Sequence, residues 1–158
     1  MKPRALVIDD DPKILEIVCE ILDSLNHDCD TAEDQESARN LLAGGTYTYL
    51  LLDLEIPVRP KKLCRLQNGT NLLRQIRETP GMDALPVVVM TGHGNDSPDL
   101  AVSVWQTGAD HYVKKPFSRG ELDTAIREVL TRKGRPAPRW EASPFPGSWP
   151  HSALKRGR

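Results

Sequence analysis

The stretch Tyr49-Leu50-Leu51-Leu52-Asp53-Leu54-Glu55-Ile56-Pro57 combines a short apolar run, a carboxylate at its end and a proline shortly after it. The run is short enough to form a fully buried β-strand, which the proline then stops. A carboxylate at the end of such a strand is costly unless it reaches solvent or meets a cation. Asp53 is therefore the first candidate for a site of chemistry, although an isolated aspartate here can also simply begin a turn or cap a helix.

Four further short segments on either side of this stretch have the composition of β-strands. They are Ala5–Ile8, followed by Asp9-Asp10-Asp11; His27–Ala32, which alternates as a half-buried strand does; Val87–Met90, followed by Thr91-Gly92-His93-Gly94; and His111–Val113, followed by Lys114-Lys115-Pro116-Phe117. Acids, a hydroxyl and lysines thus follow predicted strands at several places in the chain.

Between the strands, apolar residues recur at the three- and four-residue spacing of amphipathic helices, which turn and capping residues delimit. The signals are Pro12 in the first turn of one helix, Gly44-Gly45 after the second, Asn68-Gly69 before the third and Pro80-Gly81 after it, a thin stripe from Asp99 to Thr107 for the fourth, and Ser118 as cap of the fifth. Five helices are therefore predicted.

Alternating strands and helices predict an α/β fold with a five-stranded parallel sheet, doubly wound by right-handed crossovers. Ligands of such sheets bind outside the carboxyl ends of the strands, where the strand order switches. The residues predicted to converge at this edge are Asp9, Asp10, Asp53, Thr91 and Lys115.

The length of 158 residues suits one domain with a real core, and the charge is unevenly distributed. Residues 1–133 hold 16 Lys and Arg against 21 Asp and Glu, a net charge of -5, whereas residues 134–158 hold 5 against 1, a net charge of +4. Prolines interrupt the second segment throughout. We therefore expect a domain over residues 1–133 and a Pro-rich basic tail, mostly disordered, over residues 134–158.

The sequence also bears on the compartment. No uninterrupted apolar run approaches the roughly 18 residues that span a bilayer. The N-terminus lacks the layout of a signal peptide, so a cytoplasmic protein is expected. Because Cys19, Cys29 and Cys64 are odd in number and widely spaced, we expect reduced thiols rather than a disulfide framework or a zinc site.

Carboxylates gathered at one edge of a sheet repel one another and attract a hard divalent cation. Mg²⁺ is commonly bound through one or two carboxylates, with water and phosphate oxygens completing an octahedron. With a lysine and a hydroxyl nearby, the site suits phosphoryl transfer, in which an aspartate oxygen can act as the nucleophile that forms an acyl phosphate.

Taken together, four segments resemble the receiver domains of two-component response regulators, over about residues 4 to 131. They are Leu6–Asp11, Leu51–Pro57, Val89–Gly92 and Tyr112–Phe117. Each is weak alone, but all four occur in the family's order and at predicted strand ends. The resemblance implies a flavodoxin-like (βα)5 fold and a phosphoacceptor rather than an enzyme, one that helps to catalyse its own phosphorylation and dephosphorylation.

The resemblance also assigns roles to the acids. It implies that Asp53 is the phosphoacceptor and, with Asp9 and Asp10, a ligand of Mg²⁺, which the backbone carbonyl of Glu55 would also bind. Asp11 matches an extra acid that is common in the family, and we expect it to cap the following helix.

Thr91 and Lys115 would contact the phosphoryl group. Lys115 is preferred to Lys114 because the family's lysine immediately precedes the proline, and neighbouring strand residues point to opposite faces. Tyr112 matches an aromatic residue that changes rotamer as Thr91 moves, although a tyrosine in a strand also packs there without any switching role. His93 either tunes hydrolysis or is only solvated.

The implied partners are a histidine kinase or histidine phosphotransfer protein as donor, and a downstream protein that binds the face formed by the predicted fourth helix, the last strand and the last helix. No membrane partner is expected. Nucleic acid is not expected either, because the aromatic residues of the basic tail are separated by prolines and form no known binding motif.

The loop after Asp53 departs from the family pattern. Gly69 lies twelve residues after Pro57, and the extra segment Val58–Gln67 carries four cations and no acid. One hypothesis is that this loop covers the acidic edge and alters phosphate lifetime or the choice of kinase. The other is a solvated insertion without a role.

The leading interpretation is a stand-alone receiver of a two-component or phosphorelay system, since the tail is too short for an output domain. The alternatives are a pseudo-receiver that binds partners without phosphorylation, a truncated transcriptional regulator, and a Mg²⁺-dependent phosphatase that forms an aspartyl phosphate. The phosphatase would use the spacing of Asp9 and Asp11, but a substrate-capping domain has no room in this chain.

Overall fold

A computed structural model describes residues 2–92 and 105–131 of the chain. Within them, strands and helices follow one another as the sequence predicts. They are β1 (Arg4–Ile8), α1 (Pro12–Ser24), β2 (Asp28–Ala32), α2 (Gln35–Gly44), β3 (Tyr49–Asp53), α3 (Leu66–Glu78), β4 (Val87–Thr91), β5 (His111–Lys114) and α4 (Arg119–Thr131).

The strands form one sheet in the order β2-β1-β3-β4-β5, and every pair is parallel. This is the flavodoxin-like order, so the predicted fold class is confirmed. The strand order switches between β1 and β3, whose residues pair from Ala5 with Tyr49 to Ile8 with Leu52. The carboxyl ends of these two strands are therefore neighbours at the edge where such sheets bind ligands.

Alternate residues of the central strands supply two separate hydrophobic clusters. Leu50 and Leu52 of β3 pack with residues of α2 and α3, whereas Leu51 packs with residues of α1 and α4. All three leucines are completely buried. Each such side chain contributes roughly 1.5–3 kcal/mol by leaving water, which explains why the strand reads as a continuous apolar run.

The predicted caps are present at two helices. The Asp11 carboxylate accepts a hydrogen bond from Lys13 N at 2.9 Å, directly before Pro12 at the start of α1. At α4, the Ser118 hydroxyl accepts from Glu121 N at 3.1 Å, and the Glu121 carboxylate accepts from Ser118 N at 3.0 Å. This reciprocal arrangement is a capping box.

The start of α3 differs from the prediction. The sequence predicts Asn68-Gly69 as the turn before the helix, but α3 begins at Leu66 and includes both residues. A Cβ atom on Gly69 would collide with the backbone of Leu54. The glycine is therefore present because the helix passes close to the backbone after β3, and not because a turn is needed.

The expectation of reduced cysteines is wrong for two of the three. Cys19 on α1 and Cys29 on β2 form a disulfide, with 6.0 Å between their Cα atoms, whereas Cys64 is free and exposed. Packing of α1 beside β2 brings the two together, and spacing along the sequence does not reveal such a contact.

Three other expectations fall wholly or partly on residues that the structure does not describe. Of the predicted fourth helix, Asp99 to Thr107, only residues 105–107 are described, and these are helical. His93 and the predicted tail over residues 134–158 lie outside the described residues. Among the described helices, none has both the length and the apolar composition needed to cross a bilayer.

Candidate functional site

Three carboxylates meet at the carboxyl ends of β1 and β3. Asp9 and Asp10 directly follow β1, Asp53 is the last residue of β3, and each offers an oxygen within 4.8 Å of the others. Asp9 is completely buried, Asp53 is 6% exposed and Asp10 is partly exposed. The parallel pairing of the two strands thus places the three predicted acids in one cluster.

A lysine completes the cluster. Lys115 Nζ lies 2.6 Å from Asp9 Oδ2 and 3.4 Å from Asp53 Oδ2. Its backbone N–H donates to the Thr91 carbonyl at 2.8 Å, which fixes the lysine just beyond the end of β5. Lys114, one residue earlier, ends β5 and pairs in register with Thr91.

Backbone N–H groups orient both buried carboxylates. Asp9 Oδ1 accepts from Asp11 N at 2.9 Å, and Asp53 Oδ1 accepts from Glu55 N at 3.3 Å. Glu55 is exposed, and its backbone N–H contacts Asp53. Asp11 is used as the cap of α1. The turns after β1 and β3 therefore hold the acids in place.

The electrostatics show that one lysine does not balance these acids. Burial, and then repulsion by Asp9, raise the pKa of Asp53 to about 7, although Lys115 and Glu55 N oppose the rise. Burial also raises the pKa of Asp9, against the hydrogen bond from Lys115. The pKa of Lys115 is raised as well, because contact with Asp9 and Asp53 outweighs the effect of burial. The site therefore favours an additional cation.

Thr91 and Tyr112 lie on the two strands next to this cluster. Thr91 is the last residue of β4 and is 1% exposed, and Tyr112 is a buried residue of β5 that pairs in register with Val89. The strand positions are those expected from the sequence, and the switching role of the pair stays a prediction.

The loop that departs from the family pattern is folded beside the site. We call residues 58–65 the insert. An antiparallel bridge joins its last residue, Arg65, to Ile56 just before it, and Arg65 N donates to the Ile56 carbonyl at 3.1 Å. The buried Asn68 side-chain amide donates to the same carbonyl at 2.7 Å. The insert is thus anchored at its base.

Sequence reasoning did not place Cys64 at the site. In the structure its thiol donates to Asp10 Oδ2 at 3.0 Å. Although Cys64 is exposed, partial burial of its sulfur, this hydrogen bond and the neighbouring carboxylates raise the pKa of the thiol to about 12, so it stays protonated at neutral pH. A pocket of about 510 Å³ adjoins Asp10, between the insert and the turn from β2 to α2. Because the insert follows Asp53 closely in the sequence, its residues could have been expected to lie near the site.

Comparison with known proteins agrees with this geometry. Residues 5–127 match the family model described as the response regulator receiver domain. The phosphate regulon transcriptional regulatory protein PhoB of Escherichia coli K12 is 32% identical over 132 residues, which cover 84% of this chain and 53% of PhoB. The chain therefore spans about half the length of the curated relatives that it matches.

Solved structures of receivers are similar in fold. The chemotaxis response regulator CheY4 of Vibrio cholerae matches with a TM-score of 0.72 at 21% identity, over 82% of this chain and all of CheY4. The receiver domain of the Pseudomonas aeruginosa sensor histidine kinase PA1611, solved with a magnesium ion in its active-site cleft, matches with a TM-score of 0.71 at 21% identity, over 84% of this chain and all of that domain. At these identities the likeness shows the fold alone. The family match covers most of the chain, and the protein belongs to the response regulator receiver family, the phosphorylatable modules of two-component signalling.

Proposed function

We propose that this receiver takes up a phosphoryl group on Asp53 in a Mg²⁺-dependent reaction. The observation that carries the proposal is the position of Asp53 at the end of β3, with Asp9 and Asp10 within 4.8 Å and Lys115 Nζ at 3.4 Å. A carboxylate beside a lysine and two further acids has both the nucleophile and the charge environment of acyl phosphate formation.

The residues present suit Mg²⁺. The cluster offers carboxylate oxygens, which are hard ligands, and its three acids share one lysine. Asp9, Asp10, Asp53 and the Glu55 backbone carbonyl would hold the ion. When bound, Mg²⁺ neutralises charge on the oxygens of the transferred group. The magnesium ion in the related receiver of PA1611 supports this proposal.

In the proposed reaction, an ionised oxygen of Asp53 attacks the phosphorus of the donor. The new bond joins that oxygen to phosphorus, and the bond from phosphorus to the donor breaks, with its electron pair leaving on the donor group. Asp53 Oδ1 is oriented by Glu55 N, and Lys115 offsets the charge of the arriving phosphoryl oxygens. Thr91 would donate its hydroxyl hydrogen to one of those oxygens.

Receivers of this family interact with histidine kinases or phosphotransfer proteins and with downstream effectors. We assign the donor role here to a histidine kinase or histidine phosphotransfer protein, in the cytoplasm. Phosphorylation would change the positions of Thr91 and Tyr112. These residues would in turn alter the face formed by the helix predicted from Asp99 to Thr107, by β5 and by the last helix, α4, where the downstream protein would bind. Action without an attached output domain stays a prediction.

The geometry favours Asp53 over the phosphatase alternative, which requires Asp9 as nucleophile and Asp11 as the second acid. Asp9 is completely buried, with its two oxygens bonded to Lys115 Nζ and Asp11 N. The Asp11 carboxylate caps α1. A pseudo-receiver is also less consistent with the structure, because the acids and the lysine of a working site all converge.

The test is intact-mass spectrometry after incubation with acetyl phosphate and Mg²⁺. We expect the wild type to gain one phosphoryl group, and expect no gain with EDTA or in the Asp53→Asn variant. The asparagine is nearly isosteric, so the variant should keep the unfolding midpoint of the wild type at low pH, where Asp53 is protonated. An equal gain in Asp53→Asn would reject the proposal.

A further inference from the structure

The insert is tied to the body of the domain on a second side. Gln35 N donates to the Pro57 carbonyl and Glu36 N donates to the Val58 carbonyl, each at 2.9 Å. These two donors belong to the first turn of α2, whose N–H groups have no partner within the helix. Anchored to α2 as well as at its base, the insert presents its side chains at a fixed place beside the acidic cluster.

The insert concentrates positive charge. Its four cations, Arg59, Lys61, Lys62 and Arg65, are all exposed. Within residues 2–92 and 105–131, none of the four makes a salt bridge with a carboxylate. Their charges are therefore available to a ligand that arrives from solvent.

The surroundings of the insert are strongly acidic. Outside the insert, residues 1–133 carry 12 Lys and Arg against 21 Asp and Glu, a net charge of -9. Phosphodonors are anions, so the field of the domain opposes their approach to Asp53. An anchored group of cations next to the acids weakens that repulsion locally.

Two of the cations share a space with the site. Lys61 and Lys62 line the same pocket of about 510 Å³ as Asp10. Glu33 and Asp34 also line the pocket, and both oxygens of Asp34 accept hydrogen bonds from Ser37. The positive charge of the pocket lining comes from Lys61 and Lys62 of the insert.

We infer that the insert is a specificity element of the phosphorylation site, in which Lys61 and Lys62 attract small anionic phosphodonors of the acyl phosphate class to Asp53. This inference rests on the proposed function. The bond from the Asp53 oxygen to phosphorus forms as the bond from phosphorus to the acyl oxygen breaks, and the carboxylate leaves with the electron pair. The lysines act on the encounter and not on this step, so they change the second-order rate constant and its salt dependence.

The test compares two variants that each lose two positive charges. Lys61→Gln/Lys62→Gln removes the proposed contacts, and Arg74→Gln/Arg127→Gln removes two exposed cations from α3 and α4. The measured quantity is the second-order rate constant of phosphorylation by acetyl phosphate with saturating Mg²⁺. We expect the insert variant to lose about 3- to 10-fold at an ionic strength of about 0.03 M and less than about 2-fold at about 0.5 M, where charges are screened within a few ångströms.

Two further arms separate attraction from damage. Lys61→Arg/Lys62→Arg keeps the charges and should keep the wild-type rate, whereas any general disturbance of the insert would lower it. Phosphoramidate carries less negative charge than acetyl phosphate at neutral pH, so its rate should fall less in the glutamine variant. Equal rates in the insert and control variants, or a loss that salt does not diminish, would overturn the inference. A wild type that gains no phosphoryl group would instead reject the proposed function and this inference with it.

Discussion

At the scale of single residues, the acidic cluster combines an energetic cost with chemical use. Asp9 and Asp53 are buried and share Lys115, and burial is the largest cause of the raised pKa values of both acids. A carboxylate that is costly to ionise in the metal-free protein gains from any cation that arrives beside it. The same property therefore predicts both a pH-dependent stability and a preference for metal.

We expect the metal-free protein to lose stability as the pH rises toward neutrality. The pKa of Asp53 in the folded protein is about 7, above the ordinary value of 3.8. The folded state therefore binds the proton of Asp53 more tightly than the unfolded state does. The stabilisation of the folded state by this proton is complete below about pH 4 and is lost as the pH rises to about 7. Urea unfolding in EDTA between pH 5 and pH 8 measures the effect.

The matched variant is Asp53→Asn, which has no proton to lose. Its free energy of unfolding should depend less on pH, and at pH 8 it should exceed that of the wild type by roughly 1–3 kcal/mol. Curves that run parallel for the two proteins from pH 5 to pH 8 would show that Asp53 does not titrate in this range.

The two adjacent lysines provide a second prediction. Lys115 Nζ contacts Asp9 and Asp53, whereas Lys114 forms no salt bridge within the described residues. We expect Lys115→Met to slow phosphorylation by acetyl phosphate about tenfold or more, since it removes charge stabilisation at the transferred group, and Lys114→Met to change it less than about twofold. Similar losses in both variants would contradict the assignment of Lys115.

The pattern of apolar residues predicted where Asp9, Asp53 and Lys115 lie, because it marks the ends of the strands that these residues follow. The Cys19–Cys29 disulfide and the contact of Cys64 with Asp10 were not predictable in this way. Both depend on how a helix or a loop packs against its neighbours, which a local pattern does not contain.

At the scale of elements, the start of α3 packs closely against the backbone of the segment that follows β3. Gly69 N donates to the Leu54 carbonyl at 3.0 Å, and a side chain at Gly69 would collide with the Leu54 backbone. The helix therefore starts earlier than its glycine suggested. A glycine in the sequence indicates either a turn or a close contact between two backbone segments, and the sequence alone does not distinguish the two.

Gly69→Ala is expected to destabilise the domain by about 2 kcal/mol or more, because backbone must shift to make room for the methyl group. The matched control is Gly44→Ala in α2, where nothing lies within 4 Å of the added carbon. Alanine also favours helix over glycine, so the control should be neutral or slightly more stable. Chemical unfolding of both variants checks the prediction, and equal midpoints would disprove it.

A buried ion pair was also not predicted from the sequence. Arg77 near the end of α3 lies 2.7 Å from Asp110 Oδ2, which also accepts from Val87 N at 2.9 Å. The arginine further donates to the Leu85 carbonyl at 2.7 Å. An arginine in the last turn of an amphipathic helix suggests only an exposed residue. Its burial arises from the loops on either side of β4, whose course sequence periodicity does not specify.

At the scale of the whole molecule, the helices pack on the sheet through two hydrophobic clusters, one on each face. Among the residues that the structure describes, those of the two clusters extend to Leu130, and the family match ends at residue 127. The parallel, doubly wound sheet was predictable because alternation of apolar strands and amphipathic helices permits few topologies. The flavodoxin-like arrangement was implied by the family resemblance. The boundary at residue 133 stays a prediction.

A chain that ends at Lys133 should therefore unfold at the same denaturant concentration as the full chain. It should also take up phosphate from acetyl phosphate at the same rate, because every group that the proposal uses precedes that residue. Urea unfolding and intact-mass kinetics on the two chains make the comparison. A lower midpoint in the shortened chain would show that residues 134–158 pack on the domain.

The central claim is that Asp53 carries the phosphoryl group, and borohydride reduction tests it most directly. Borohydride converts an aspartyl phosphate to homoserine, which peptide mass spectrometry locates in the sequence. After treatment with acetyl phosphate and Mg²⁺, we predict homoserine at position 53 and at no other aspartate. Homoserine at Asp9, Asp10 or Asp11 would contradict the account and favour a nucleophile in the turn after β1.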